Sequence, residues 1–124
     1  MAITDATLRA FLAAFNAHDV DAVMGFFTDD CVFETPRGPD PWGTRLVGPA
    51  AVRTGIQGRF DGIPDVRYDN DEHWVVGDDH AVSRWTLSGT STEGTRIEVR
   101  GCDLFDVSKD GRILRKDSYW KIVT

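Results

Sequence analysis

From Thr95 to Val123 the chain reads as two long β-strands joined at a tight turn, and few folds can house strands of that length. The first runs Thr95 to Val107, the turn is Ser108-Lys109-Asp110-Gly111, and the second runs Arg112 to Val123. Two further runs precede them: Asp65 to Val76, ending at Gly77-Asp78-Asp79, and His80 to Thr90, followed by the Glu93-Gly94 turn. These strands of about 11 to 13 residues exceed the usual ~5–6. A meander of such strands has to twist and curl. Helices laid on its concave face leave a cavity between the two layers.

The helices are supplied by the first half of the chain. Leu8, Phe11, Leu12 and Phe15 fall at i, i+3, i+4 and i+7, the apolar stripe of a helix over Asp5 to Ala17, capped by Thr4 or Asp5. His18 sits in the break, with a capping or helix-dipole role as its default. Asp19 caps a shorter second helix with Val20, Val23, Met24 and Phe27 on one face. A short strand, Cys31 to Thr35, comes next. The Pro- and Gly-rich segment from Pro36 to Gly43 is irregular. Its Trp42 either closes over a pocket as part of a lid or pins the loop to the core. Gly48-Pro49 opens a third helix, with proline at its first position and Val52, Ile56 and Phe60 on its buried side. The expected architecture is α+β and cone-shaped: three N-terminal helices on a strongly curved, largely antiparallel sheet that encloses a pocket, all within one domain, residues 1–124.

Composition narrows the partners. A formal net charge of -6 disfavours nucleic acid, whose phosphates want a basic face, and disfavours an anionic membrane surface. No apolar run approaches the ~20 residues of a membrane helix. The N-terminus has neither the basic start nor the apolar core of a signal peptide, so a cytoplasmic location is expected. Cys31 and Cys102 are read as reduced core thiols, and His18, His73 and His80 lack metal-site spacing, so neither a metal nor a cofactor is expected. Asp69 to Glu72 and His73 read as a solvated strand edge.

Phe27-Thr28-Asp29-Asp30-Cys31-Val32, Gly48-Pro49-Ala50-Ala51-Val52, and Asp110-Gly111-Arg112-Ile113 followed by Tyr119-Trp120 resemble the nuclear transport factor 2-like superfamily. Within it the chain is similar to SnoaL-like polyketide cyclases and to ketosteroid isomerase. The resemblance spans nearly the whole chain and implies fold more than activity. In ketosteroid isomerase an aspartate base works with a tyrosine and a protonated aspartate that hold the enolate oxygen. That protonated aspartate falls on Asp103 and a pocket tryptophan on Trp120. The base falls on Thr35 and the tyrosine on Phe11, neither able to do that work. Limonene epoxide hydrolase uses an Asp–Arg–Asp set, of which the arginine matches Arg84 while the aspartates fall on Thr86 and Ser118. The polyketide cyclases use a single pocket acid/base, for which Asp103 is the candidate.

A carboxylate in the middle of an apolar strand is costly unless something pairs with it or uses it. Strand alternation with Asp103 inward also turns Val99, Gly101 and Phe105 inward. The resemblance turns Leu114, Lys116, Ser118 and Trp120 inward on the last strand and Arg84, Thr86 and Ser88 on the strand before. Trp85, Leu87, Ile113 and Tyr119 are then expected outside, on a convex face suited to a homodimer. With Lys116 or Arg84 beside it, Asp103 is expected to be ionised, as a base or as an ion-pair partner. The expected catalytic set is Asp103, Lys116 and Arg84. Trp120, Trp42, Phe33, Thr35, Phe11, Phe105, Ser118 and Thr86 are the expected ligand contacts, and Glu34 is a fallback base. Two functions fit: a cofactor-independent isomerase or cyclase acting on a small hydrophobic carbonyl compound, or a non-catalytic binder with the same pocket.

Overall fold

A computed structural model describes residues 2–124. The elements are α1 (Asp5–Asn16), α2 (Val20–Met24), β1 (Phe27–Glu34), β2 (Arg45–Val47), α3 (Pro49–Gly62), β3 (Arg67–Val76), β4 (His80–Thr90), β5 (Arg96–Val107) and β6 (Ile113–Trp120). One mixed sheet of order β2-β1-β6-β5-β4-β3 carries all six strands. Only β1 and β6 run parallel; β3 to β6 form the expected meander.

Local chemistry accounts for the helix ends. Thr4 accepts from the Thr7 N–H in a capping box that opens α1. Asp19 accepts from the Ala22 N–H at 3.1 Å and opens α2. Pro49 starts α3 after Gly48, whose φ of +89° suits glycine. His18, at φ +53°, serves as a cross-brace rather than a cap. Its Nε2 lies 2.7 Å from the Val66 carbonyl, and its ring stacks on Phe60 at 4.7 Å.

The helices bury their apolar stripes on the inner face of the sheet. Phe11 is the hub, meeting Phe15, Phe26, Phe27 and Phe105 edge to face at 5.1 to 5.8 Å. Each such pair adds about 0.5–1.5 kcal/mol beyond simple burial. Val52, Ile56 and Phe60 of α3 join the same core.

The strand phases depart from expectation on β4. Ala81, Ser83, Trp85, Leu87 and Gly89 are buried, whereas Arg84, Thr86 and Ser88 face outward. Register explains it: Ser83 lies opposite Asp103 and Trp85 opposite Gly101, so they share the inner face. A phase taken one residue off inverts a whole strand. On β6 Lys116, Ser118 and Trp120 keep the expected side, but Ile113 is buried too. The ladder steps from Asp106–Arg115 to Val107–Ile113, leaving Leu114 as an extra residue that resets the alternation. A second irregularity, between Asp69 and Glu72, with Asn70 at φ +54°, lets both Tyr68 and His73 turn inward on β3. His73 is therefore enclosed, its ring held by Ser83 at 2.7 Å and Asp71 at 2.6 Å. Cys31 is buried, but Cys102 lies half-buried on the outer face.

Candidate active site

Asp103 sits near the middle of β5, with Ser83 opposite it on β4 and Ser118 opposite it on β6. Three donors converge on its carboxylate. Trp85 Nε1 reaches Oδ2 at 3.0 Å, while Lys116 Nζ at 3.0 Å and Ser118 Oγ at 2.5 Å both reach Oδ1. Lys116 also donates to Ser118 Oγ at 2.7 Å. Asp103, Lys116 and Ser118 are all buried. The ammonium has a third side, and there it faces the rings of Phe33 at 4.5 Å and Phe15 at 5.3 Å, which supply cation–π attraction in place of water.

Two packing contacts hold Trp85 in place. Its ring lies across Gly101, where a Cβ would come within 2.6 Å of it. Tyr68 of β3 then meets it edge to face at 5.0 Å. A Cβ at residue 101 would push the indole N–H off the carboxylate.

Trp85, Lys116 and Ser118 of this cluster line a cavity that Phe15, Phe33, Ile56, Arg59, Tyr68 and Trp120 complete, with Asp103 behind them. About 10 Å³ is enclosed, roughly what one water needs. Burial pushes the Lys116 ammonium below its ordinary range, against the pull of the Asp103 carboxylate. Burial likewise pushes the Tyr68 phenol up and the Arg59 guanidinium down. Lys116 and Arg59 place two cations on the lining of so small a space, with the Asp103 carboxylate behind it.

The expected residues separate into those gathered here and those placed elsewhere. Asp103, Lys116, Ser118, Trp120 and Phe33 come together. Arg84 lies on the outer face, paired with Glu72 and stacked on Trp74 at 5.7 Å, and Thr86 is outside with it. Trp42 is 42% exposed and packs under Arg45 at 4.5 Å, so it neither covers the cavity nor pins the loop to the core. The Thr35 hydroxyl is spent within the loop, donating to the Arg37 carbonyl at 2.8 Å and accepting from the Thr44 N–H at 3.1 Å. Phe11 and Phe105 pack in the core rather than on the cavity wall. Glu34 is buried but engaged by Arg45 at 2.7 Å and Arg115 at 3.6 Å. Sequence reasoning passed over Trp85, Tyr68 and Arg59. Arg59 carried a signal, standing three residues after Ile56 at the margin of the apolar stripe of α3.

Among the described residues no three His, Cys, Asp or Glu side chains are grouped as a metal site would require. No helix is long and apolar enough to cross a membrane.

Comparison with known proteins agrees with this architecture. No protein of curated function matches the sequence. Among solved structures, an NTF2-like protein of unknown function from Mesorhizobium loti is 32% identical, with 93% of this chain and 88% of that one covered at a TM-score of 0.74. A Xanthomonas campestris protein provisionally described as a polyketide cyclase is 22% identical, with 92% and 87% covered at 0.79. Rv0760c from Mycobacterium tuberculosis, solved with estradiol-17β-hemisuccinate, is 21% identical, with 98% and 96% covered at 0.81. The last two likenesses speak to the fold alone. The SnoaL-like domain profile matches residues 8–116, and the chain belongs to that family, with the nuclear transport factor 2-like fold.

Proposed function

We propose that the chain is a cofactor-independent isomerase or cyclase acting on a small hydrophobic carbonyl compound. The observation that carries this reading is the enclosed Asp103–Lys116–Ser118 cluster, whose Lys116 and Ser118 line an aromatic cavity. Asp103 reaches that cavity through Ser118, whose hydroxyl lines it and donates to Oδ1 at 2.5 Å. A proton leaves the carbon α to the carbonyl for Ser118 Oγ while the hydroxyl's own proton passes to Asp103 Oδ1. The C–H electron pair passes to the carbonyl oxygen as an enolate, which the Lys116 ammonium steadies. Return of the proton to a different carbon completes an isomerisation; attack of the enolate carbon on a second carbonyl closes a ring, and the alkoxide so formed takes the proton back. Arg84 has no part in this scheme because it lies across the sheet. Binding of a steroid ester by Rv0760c supports an apolar ligand in a pocket of this fold.

The test is hydrogen–deuterium exchange at the α-carbon of 2-tetralone in D2O, followed by NMR. Asp103→Asn should remove the protein-catalysed exchange. Equal exchange in variant and wild type overturns the role of Asp103. The second reading, a binder without turnover, is favoured by the completeness of the hydrogen bonds around Asp103. In that case neither protein exchanges the proton and Asp103→Asn only weakens binding.

We also propose a homodimer through the outer sheet face, with its residues revised. Trp74, Val82 and Leu104 form a cross-strand apolar row there, beside Tyr119, 51% exposed. Glu72, Arg84, Asp106 and Arg115 border it with both signs of charge, as a two-fold, self-matching surface requires. Light scattering that returns a 13.8 kDa particle would reject it.

A further inference from the structure

We infer that the pocket selects an organic anion, a molecule with an apolar body and a carboxylate, and that Arg59 is the residue that reads the carboxylate. This deepens the proposed function and rests on its premise that the pocket takes a small molecule.

The first argument is a missing partner. Arg9, Arg45, Arg53, Arg67, Arg84 and Arg115 each lie within ion-pair distance of a carboxylate. Arg59, more sheltered than those, has none among the described residues; Arg37, Arg96 and Arg100 also have none but are exposed, and Arg112 donates to the Phe27 carbonyl. Its neighbours are the Tyr68 phenol and the Trp120 ring at 4.4 Å. Arg37, another cation, acts on it from the loop. A guanidinium drawn out of water without a counter-charge is costly. With 20 acidic residues available, none is placed against it. A bidentate carboxylate from a ligand would meet its geometry.

The second argument is where Arg59 stands. Pro36 and Trp120 border both the inner cavity and an outer groove of about 450 Å³. Arg37, Arg96 and Lys121 line that groove, against one acid, Glu98, with Ile97 and Val99 as its apolar floor. A chain of net charge -6 thus gathers cations around a groove that adjoins the cavity lined by Lys116 and Ser118. Focused positive potential at such a mouth raises the local concentration of an anion. Volume sets the orientation: the inner space admits little more than an oxygen atom, so the ligand's body lies in the groove against Trp120. Its carboxylate meets Arg59, which lines the inner cavity and lies over Trp120 at the border with the groove, and a carbonyl reaches inward.

The test compares 2-naphthoate with 2-naphthamide, which share shape and differ in charge, by calorimetric titration at pH 7 and low salt. Wild type should bind the acid about ten- to a hundred-fold more tightly than the amide, the range of a charge-assisted hydrogen-bonded pair. Arg59→Gln should abolish that preference, and Arg59→Lys should retain part of it. Arg53→Gln, on the same helix but paired with Asp21 outside the cavity, should leave it intact. Equal binding of acid and amide, or a preference that survives Arg59→Gln, overturns the inference while leaving a small-molecule pocket standing. Binding of neither compound overturns both. If Arg59→Gln does not fold, Arg59→Lys and the wild-type salt series decide, since a preference unmoved by both defeats the assignment.

Discussion

The two faces of strands β3 to β6 carry ion pairs of similar composition and opposite circumstance. On the inner face Asp103 and Lys116 meet at 3.0 Å with both side chains about 95% hidden. On the outer face Arg115 meets Asp106 at 3.0 Å and Arg84 pairs with Glu72, in each case with a third or more of both side chains in water. Successive residues of one strand therefore make bonds that differ in kind. Outside, water screens the charges and would replace either partner. Inside, each charge is tolerable only because the other is there, and the arrangement is held by Trp85, Ser118 and two phenylalanine rings.

The largest expected effect follows directly. Lys116→Met or Asp103→Leu alone leaves a buried charge unpaired and should cost about 3–5 kcal/mol. The double variant should recover most of that loss, because an apolar pair of similar volume is close to neutral in place of a buried ion pair. Urea denaturation of the four proteins measures it. Single variants that cost under ~1 kcal/mol, or a double variant whose losses simply add, would erase the distinction between the faces.

A smaller effect tests the frame of the inner pair. Gly101→Ala places a methyl within 2.6 Å of the Trp85 ring and 2.5 Å of the Tyr119 carbonyl oxygen. Overpacking of this kind costs about 1–3 kcal/mol. Because Trp85 donates to Asp103, the near-ultraviolet circular dichroism of the indole should change with it. An unchanged spectrum with unchanged stability would mean that the ring is not wedged as described.

Titration sharpens the comparison further. Burial depresses the folded-state pKa of Lys116 below the 10.5 of a free lysine. Between those two values the unfolded chain holds more protons, so stability rises with pH across that window, by at most about 1.4 kcal/mol per pH unit for one group. Below the window both states are protonated and the contribution is flat. Tyr68, with its pKa raised by burial, gives the opposite slope above its unfolded value of 10.0. It does so in wild type and Lys116→Met alike. The difference in stability between those two proteins should therefore climb with pH through the window. A flat difference would mean that Lys116 is not desolvated.

These contrasts also show what could be read from the chain. The helices announce themselves because Leu8-Phe11-Leu12-Phe15 and Val52-Ile56-Phe60 repeat at helical spacing and Asp19 and Pro49 mark starts. Strand β4 was legible to the residue, since turns bracket it on both sides. Asp103 stood out because a carboxylate is expensive among apolar neighbours, and Lys116 was the cation two strand steps from Trp120. The faces of β4 were not legible, because a borrowed arginine position argued for Arg84 inward, whereas packing of Trp85 and Leu87 decided otherwise. Bulges at Leu114 and near Asn70 break the alternation without any sequence marker, so Ile113 and His73 were misplaced. Arg59 comes to the cavity from a helix, and its meaning depends on what α3 packs against.

The smallest expected effect belongs to the outer face, and it is as informative as the largest. Arg84→Ala removes the Glu72 pair and the Trp74 stacking, yet should change the stability of an isolated protomer by only about 0.2–1 kcal/mol. The same substitution on an assembled face would do more, since Arg84 and Glu72 are then enclosed by a second copy. Denaturation midpoints of Arg84→Ala measured across a hundred-fold range of protein concentration separate the two cases. A loss that stays small at every concentration places Arg84 in water and rejects the dimer face. A loss that grows with protein concentration means that the exposed pair becomes, in the assembly, the kind of pair that Asp103 and Lys116 already form in the protomer.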